Sequence, residues 1–272
     1  MNRPTTCANL IKAINSLFRE MDTVRLARSM GNLIVGQILP DGVVKGGSSL
    51  MFRYGGHATR YTRDMDTARV MDLDAYLERL ENSLTIGWNG FTGKLVAVEP
   101  PTPKNVPSAY VMMPYDIKLN YYGRPWQTVR IEIGHNEIGD ADEYEEFLPG
   151  DLAKVFEALS FPRPKPIHVM KLSYQVAQKL HAVSESGSER AHDLVDLQLI
   201  ASNSQLDFQD VCSKCRRLFK YRRLQAWPPK IVIGENWDEL YKNARGSLSV
   251  LPNVREAVDW VNELIDMIND CQ

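Results

Sequence analysis

Two aspartates separated by a single residue, Asp64 and Asp66, stand in the polar run "YTRDMD". In an extended chain alternate side chains point to the same face, so these two carboxylates project together and Met65 projects to the opposite face. Adjacent carboxylates repel one another and raise one another's pKa, and a bound divalent cation removes that conflict. Oxygen ligands suit Mg²⁺, with Mn²⁺ as the alternative ion. The pair therefore predicts a metal site.

A third acid, Glu132, interrupts the apolar strand pattern "TVRIEIG". The alternation puts the apolar residues on one face of the strand and Glu132 on the other, together with Arg130. If this strand lies beside the strand that carries Asp64 and Asp66, Glu132 completes a three-carboxylate metal site.

A glycine–serine run precedes the aspartates in the segment "KGGSSL". Such a turn offers backbone N–H groups and hydroxyls to phosphate oxygens, so we predict that Gly47, Ser48 and Ser49 bind a nucleotide. Carboxylates that hold metal ions beside a phosphate-binding turn indicate nucleotidyl transfer by in-line displacement. Each feature alone is more often a solvated acid or a simple turn, but their combination in this order favours the catalytic interpretation.

The elements that must position these residues follow from apolar periodicity. Helical spacing predicts helices in "TTCANLIKAINSLFREMD", from about Val24 to Leu39, in "LDAYLERLENSL" behind the capping residue Asp72, and in "VREAVDWVNELIDMI". Alternation predicts strands in "KLVAVEP", "DIKLNYYG" and "TVRIEIG". We predict an acidic loop over residues 135–149 and, from Gly150 onward, helices interrupted only by "FPRPKP".

The predicted fold class is α/β (α+β), with a mixed sheet in the N-terminal half. We divide the chain into an α/β domain over residues 1–150 and a mostly helical domain over residues 151–272, because strand patterns end near residue 150.

Composition limits the class of protein. The 272 residues are 44% hydrophobic with a net charge of −2, so the chain can bury one large or two modest cores and is no general polycation. Four scattered cysteines predict no disulfide scaffold. We find no signal peptide and no apolar run approaching the roughly 20 residues of a membrane helix. We therefore expect a cytoplasmic globular protein that does not bind membranes.

A local basic run, "KCRRLFKYRR" over residues 214–223, interleaves six cations with two aromatic residues. A short basic helix is usually a solvated face, but aromatic rings among arginines also suit an RNA backbone with exposed bases. The candidate RNA-binding residues are Arg216, Arg217, Lys220, Arg222 and Arg223.

Four separated motifs, "KGGSSL", "RYTRDMD", "KLSYQVAQKLHA" and "RAHDLVDLQLI", occur in this order between residues 45 and 200. Together they resemble the AbiEii/MenT toxins, which are nucleotidyltransferases of the DNA polymerase β superfamily. The resemblance implies a nucleotidyltransferase fold in the N-terminal half. It also implies the toxic member of a toxin–antitoxin or abortive-infection pair, with a cognate antitoxin as partner. Members of the MenT branch add nucleotides to the 3′ end of tRNA, which blocks aminoacylation.

The resemblance transfers to individual residues. Gly47 and Ser48 match the glycine–serine motif, and Asp64 and Asp66 match the metal-binding pair. Lys179 matches the lysine of the "A-x-KL" motif, and Asp193 matches the acid of the "R-x-DL-x-DL" motif.

The sequence departs from the family pattern at two places. Fifteen residues separate Ser48 from Asp64, which is longer than in minimal members of the superfamily. His192 stands where Arg or Lys commonly precedes the acid. Asp193 and Asp196 are neighbours on a helix, and we favour Asp193 for the site although both could be structural.

Lys179 is expected to face inward from its helix and to meet triphosphate oxygens as a point charge, the alternative being a surface lysine. The resulting hypothesis is a metal-dependent toxin that transfers NMP from an NTP to the 3′ end of tRNA. The alternatives are transfer to a small molecule or protein, and a non-catalytic nucleotide- or RNA-binding module. The basic run favours RNA over a small acceptor, and a pure binding module has no need of clustered acids.

Overall fold

The computed structural model describes residues 2–101 and 111–271, and the chain divides into two compact units. Unit 1 comprises Met1–Gly56, Thr62–Asn136 and Ala141–Val169, and unit 2 comprises His57–Tyr61, Glu137–Asp140 and Met170–Gln272. The boundary that we predicted near residue 150 thus lies within unit 1. The reason is that the segment after it returns to the sheet of unit 1 as a strand that pairs through Val169 with Val44.

Unit 1 is built on a seven-stranded mixed sheet. Its strands are β1 (Gly42–Val44), β2 (Asp64–Arg69), β3 (Phe91–Ala97), β4 (Met113–Tyr121), β5 (Arg124–Gly134), β6 (Tyr144–Phe147) and β7 (Ile167–Met170). They lie in the order β3-β4-β5-β2-β1-β7-β6. β2 is parallel to β5 and antiparallel to β1, and β1 is parallel to β7. The predicted mixed α/β fold class is confirmed.

Five helices of the described residues pack in unit 1. They are α1 (Cys7–Leu17), α2 (Thr23–Gly36), α3 (Gly46–Tyr54), α4 (Leu73–Ile86) and α5 (Gly150–Ala158). Side-chain caps explain where three of them begin, since Thr6, Asp22 and Asp72 each accept a hydrogen bond from a backbone N–H of the first turn. The predicted helices α1, α2 and α4 are confirmed, as is the cap at Asp72.

The strand faces follow the period of two that the sequence predicts. In β5, Val129, Ile131 and Ile133 are buried, whereas Arg130 and Glu132 on the opposite face are half-buried. The buried side joins one hydrophobic core with α1, α2 and α4. The other side of β5 is therefore where polar chemistry can lie.

Three expectations about unit 1 were wrong. The glycine–serine run is the first turn of α3 rather than an open turn. The acidic stretch over residues 135–149 contains β6, and the chain after "FPRPKP" enters β7 rather than a helix. Both strands are four residues long, too short for alternation to be recognised in the sequence.

Unit 2 is helical, as predicted for the C-terminal half. Its helices are α6 (Leu172–Val183), α7 (His192–Asn203), α8 (Phe208–Arg222), α9 (Trp237–Arg245) and α10 (Val254–Asp270). The four cysteines of the chain are all free, and Cys212 and Cys215 are buried on α8. Among residues 2–101 and 111–271, no helix combines the length and the apolar character that a bilayer crossing requires.

Candidate active site

The parallel pairing of β2 with β5 brings the predicted acids together in unit 1. Asp66 is the register partner of Glu132, and Asp64 is the partner of Arg130. Neighbouring strands lie about 4.8 Å apart, so the three carboxylates share one patch of the sheet. All three acids are half-buried, while Met65 and Ile131 between them are fully buried. The condition that we set for Glu132, a neighbouring strand, is met.

The charges of this carboxylate cluster (Asp64, Asp66 and Glu132) act on one another, as the pKa of Glu132 shows. Burial raises the pKa of Glu132, and the charges of Asp66 and then Asp64 raise it further. Arg130 and Lys45 act in the opposite direction. The cluster therefore holds its negative charge at a cost, which a bound cation would relieve.

Lys45 is a site residue that the sequence analysis missed. Its side chain is buried, with 8% exposed, and its charge acts on Glu132. Its backbone N–H donates to the carbonyl of Asp66 at 2.8 Å, which ties the chain before α3 to β2. A Cβ added at Gly134 would lie 3.1 Å from the Lys45 Nζ, so the ammonium lies directly over the end of β5. The available signal was a lysine between an apolar strand and the glycine run.

The first turn of α3 packs against the strand that carries the aspartates. Ser48 is fully buried and its hydroxyl donates to the backbone carbonyl of Asp64 at 3.0 Å. Gly46 has a φ of +63°, and a Cβ there would lie 2.0 Å from Asp66 Oδ2. Gly47 and Ser49 are buried in the same turn. The N-terminal end of a helix favours anions, so this turn stabilises Asp66 and remains the predicted place for a phosphate.

Whether this donor set fits a metal ion depends on how many ligands it brings together. In the part of the chain that the structure describes, no group of three His, Cys, Asp or Glu side chains is close enough to hold a metal by itself. Mg²⁺ commonly binds through one or two carboxylates, its own waters and substrate phosphates rather than in a complete protein cage. Half-buried oxygens at Asp64, Asp66 and Glu132 fit that mode of binding.

Unit 2 contains a second group of predicted residues, which forms a buried ion network. Lys179 donates to Asp193 Oδ1 at 2.7 Å and to Asp196 Oδ2 at 2.6 Å. Arg60 forms a bidentate pair with Asp196 at 2.9 Å for both contacts, and Arg190 Nε donates to Asp193 Oδ2 at 2.8 Å. Lys179 thus faces inward as predicted, and its ammonium is held between two carboxylates.

The network keeps both of its carboxylates ionised. Burial alone would raise the pKa of Asp193, but Lys179 and Arg190 outweigh it and hold that pKa well below the usual range. Lys179 and Arg60 lower the pKa of Asp196 in the same way against burial. Burial lowers the pKa of His192 to about 4, so this histidine is neutral at pH 7. Three permanent cations therefore face two carboxylates, and the network carries a net positive charge.

The basic residues of α8 divide into two kinds. Arg222 pairs with Glu137 at 2.5 Å and is half-buried. Arg217 is exposed and donates to the carbonyl of Ile138 at 2.6 Å. The exposed cations of α8 and of the residue after it are Arg216, Arg217, Lys220 and Arg223.

Comparison with known proteins now identifies the family. A family model described as "Nucleotidyl transferase AbiEii toxin, Type IV TA system" matches residues 36–263, which is most of the chain. The chain belongs to the AbiEii family. It is therefore a nucleotidyltransferase toxin of a toxin–antitoxin family, and such a family implies an antitoxin partner.

One solved structure agrees with the AbiEii assignment at the level of the fold. The nucleotidyltransferase toxin MenT4 of Mycobacterium tuberculosis is 15% identical, with 91% of each chain covered and a TM-score of 0.50. A proposed nucleotidyltransferase of Helicobacter pylori is 15% identical, over 91% of this chain and 94% of its own, with a TM-score of 0.49. No curated protein sequence matches the chain significantly.

Within this AbiEii chain, sequence reasoning also missed Arg60 and Arg190 as partners of the motif acids. Arg60 is bound to Asp196. The sequence favours Asp193 over Asp196 for the site. In the structure both carboxylates contact Lys179.

Proposed function

We propose that this AbiEii toxin transfers NMP from an NTP to the 3′ end of tRNA, in a reaction that depends on Mg²⁺ or Mn²⁺. The observation that carries the proposal is the register of β2 and β5. It pairs Asp66 with Glu132 and so places Glu132 on the strand next to Asp64 and Asp66. The positive end of α3 and the buried Lys45 lie against the same carboxylates. Oxygen ligands next to a helix N-terminus are what a metal–triphosphate substrate requires.

In this proposal the carboxylate cluster would hold the ion, which supplies Lewis-acid polarisation of the α-phosphate and stabilises the leaving pyrophosphate. The first turn of α3, with Gly47 and Ser49, would bind phosphate oxygens, and the N–H of Ser49 itself donates to the carbonyl of Lys45 at 3.2 Å. Ser48, which the sequence predicts to bind a nucleotide, donates its hydroxyl to the carbonyl of Asp64 and so holds α3 against β2. Lys45 balances part of the negative charge on the acids.

The ion network of unit 2 is proposed to present positive charge to the triphosphate. Lys179 is 4% exposed and held by two carboxylates, so Asp193 and Asp196 orient it rather than neutralise it completely. Of the two cations that flank the network, Arg190 has 51% of its side chain exposed and Arg60 has 16%. A substrate anion would strengthen the network because its net charge is positive.

RNA is the proposed acceptor because α8 and the residue after it carry four exposed cations, Arg216, Arg217, Lys220 and Arg223. A chain with a net charge of −2 needs such a local concentration of cations to bind a polyanion. The cognate antitoxin, implied by the family, is the proposed protein partner.

The test is incubation with each labelled NTP and total tRNA, with Mg²⁺, with Mn²⁺ or with EDTA. We expect label at the RNA 3′ end that EDTA abolishes and that Asp66→Asn abolishes. Asp74→Asn, the same change at an exposed position on α4, should leave transfer intact. Label on a small molecule or on protein, with none on RNA, would reject the tRNA acceptor, and transfer without any metal would reject the proposed chemistry.

A further inference from the structure

A cavity of about 370 Å³ lies in unit 2 at the C-terminal end of α8, outside every motif that led to the carboxylate cluster. It is formed by the last turns of α8, the segment that follows them and Asn269 near the end of α10. Ligand cavities in proteins span roughly 300–1,000 Å³, so this cavity has room for one nucleotide and not for several.

One wall of the cavity is the indole ring of Trp227. The ring is half-buried and is fixed from two directions. Its Nε1 donates to Asn269 Oδ1 at 3.2 Å, and Phe219 packs edge-on against it with ring centroids 5.3 Å apart. An aromatic plane held in this way is a preformed stacking surface for a planar ligand.

Positive charge at the cavity comes from Arg216 and Lys220, which also line it. Residues four positions apart lie on one face of a helix, so the two cations form a pair. The cavity lining contains no acidic side chain. Two cations without a carboxylate select an anion and give a metal ion no ligand.

The segment that carries Trp227 is itself anchored. Gln225 Nε2 donates to the carbonyl of His181 at 2.6 Å and to Ser184 Oγ at 2.8 Å, which ties the segment to the end of α6. Binding therefore does not have to order this part of the chain first, which favours affinity.

We propose that this cavity, the Trp227 pocket, holds one unstacked nucleotide of the RNA acceptor, with its base on the Trp227 ring and its phosphate between Arg216 and Lys220. The inference rests on the proposed RNA acceptor. A free NTP has the same two chemical parts, but RNA fits better because the exposed Arg217 on α8 and the exposed Arg223 just after it add positive charge outside the pocket lining. A continuing phosphate backbone would use them, and a single nucleotide would not.

The test measures the affinity of the full-length protein for a short single-stranded RNA, for total tRNA and for free NTP, without metal, by fluorescence anisotropy. Because no transfer takes place, the result does not depend on catalysis. Trp227→Ala should weaken RNA binding about tenfold through lost stacking, and Trp227→Phe should retain most of the affinity. Arg216→Gln/Lys220→Gln should weaken it at least as much. This variant should also reduce the magnitude of the slope of log K against log salt by about 0.7, since one phosphate contact is lost and single strands contribute about 0.7 per neutralised phosphate.

Lys242→Gln/Arg255→Gln is the matched control, because it removes the same two charges from exposed positions on α9 and α10. It should change RNA affinity less than twofold. Equal losses in the control and the Arg216→Gln/Lys220→Gln variant, or wild-type affinity in both pocket variants, would overturn the inference. So would a loss confined to free NTP, which would make the pocket a nucleotide site. If the pocket variants lose RNA affinity as expected and labelled NTP is never transferred, the inference stands and the proposed function fails.

Discussion

Gly46→Ala tests whether the position of Asp66 decides catalysis. A Cβ at residue 46 would lie 2.0 Å from Asp66 Oδ2 and 3.0 Å from its Cγ. Because non-bonded heavy atoms are most favourably placed about 3.5 Å apart, the carboxylate has to move by about 1 Å or more. It would move relative to the carboxylate cluster of which it is a part.

The expected effect on rate follows from that displacement. A misplacement of about 1 Å in a reacting constellation can cost about 10²-fold in rate. The alanine would also have to adopt the left-handed backbone conformation of Gly46, whose φ is +63°. That strain costs about 1–2 kcal/mol of folding free energy for any L-residue and has to be separated from the effect on Asp66.

Gly123→Ala is the control, because Gly123 lies in the same unit with a φ of +74° and has no atom within 4 Å of an added Cβ. Both variants should lose similar stability in thermal unfolding. Only Gly46→Ala should lose transfer of labelled NMP, by about 10²-fold, when both are assayed well below their unfolding temperatures. Normal transfer by a folded Gly46→Ala protein would refute the assignment of Asp66 to the reacting site.

Three further predictions concern charge. Glu132→Gln should abolish transfer, yet it should stabilise the metal-free protein by about 1 kcal/mol at neutral pH because the screened charge repulsion is removed. Glu78→Gln, at an exposed position on α4, should change neither transfer nor stability. Since the pKa of Glu132 is raised in the folded state, this gain should shrink as the pH falls through that raised pKa and be lost below the ordinary pKa of glutamate, which thermal unfolding against pH will show. Lys179→Met should lower the free energy of unfolding by about 3–5 kcal/mol because two buried carboxylates lose a partner. Lys230→Met, at an exposed position, should leave the free energy of unfolding unchanged. An unchanged free energy of unfolding in Lys179→Met would contradict the ion network. Arg222→Gln should lower the unfolding temperature through the lost pair with Glu137 but leave the salt dependence of RNA binding unchanged. A flatter dependence of log K on log salt would show that Arg222 binds RNA.

Local pattern was enough to predict helices α1, α2 and α4 and the two faces of β2 and β5. The cap at Asp72 and the alternation around Glu132 are short-range features, decided by hydrogen bonds and burial within one element. The same alternation predicted that Glu132 would lie apart from the core, and the half-buried carboxylate agrees.

What could not be predicted depends on contacts distant in the chain. The run "GGSS" forms a helix because its first turn packs on β2, where Gly46 meets Asp66 and Ser48 meets the carbonyl of Asp64. The pairing of Arg60 with Asp196 joins residues 136 positions apart, and no spacing rule links them. Lys45 likewise belongs to the site only because β1 pairs antiparallel with β2 and sets the end of that strand beside the acids.

Burial separates the two kinds of acid in this toxin. Asp193 and Asp196 are fully buried, and each is bound by Lys179 and by an arginine, so their pKa values are held down and their negative charge is already compensated. Asp64, Asp66 and Glu132 are half-buried, and the pKa of Glu132 is raised by its burial and then by the charges of Asp66 and Asp64. A compensated carboxylate gains little from a metal ion, whereas a repelling group gains much. The chemistry is therefore expected at β2 and β5, with the motif acids of unit 2 serving to orient Lys179.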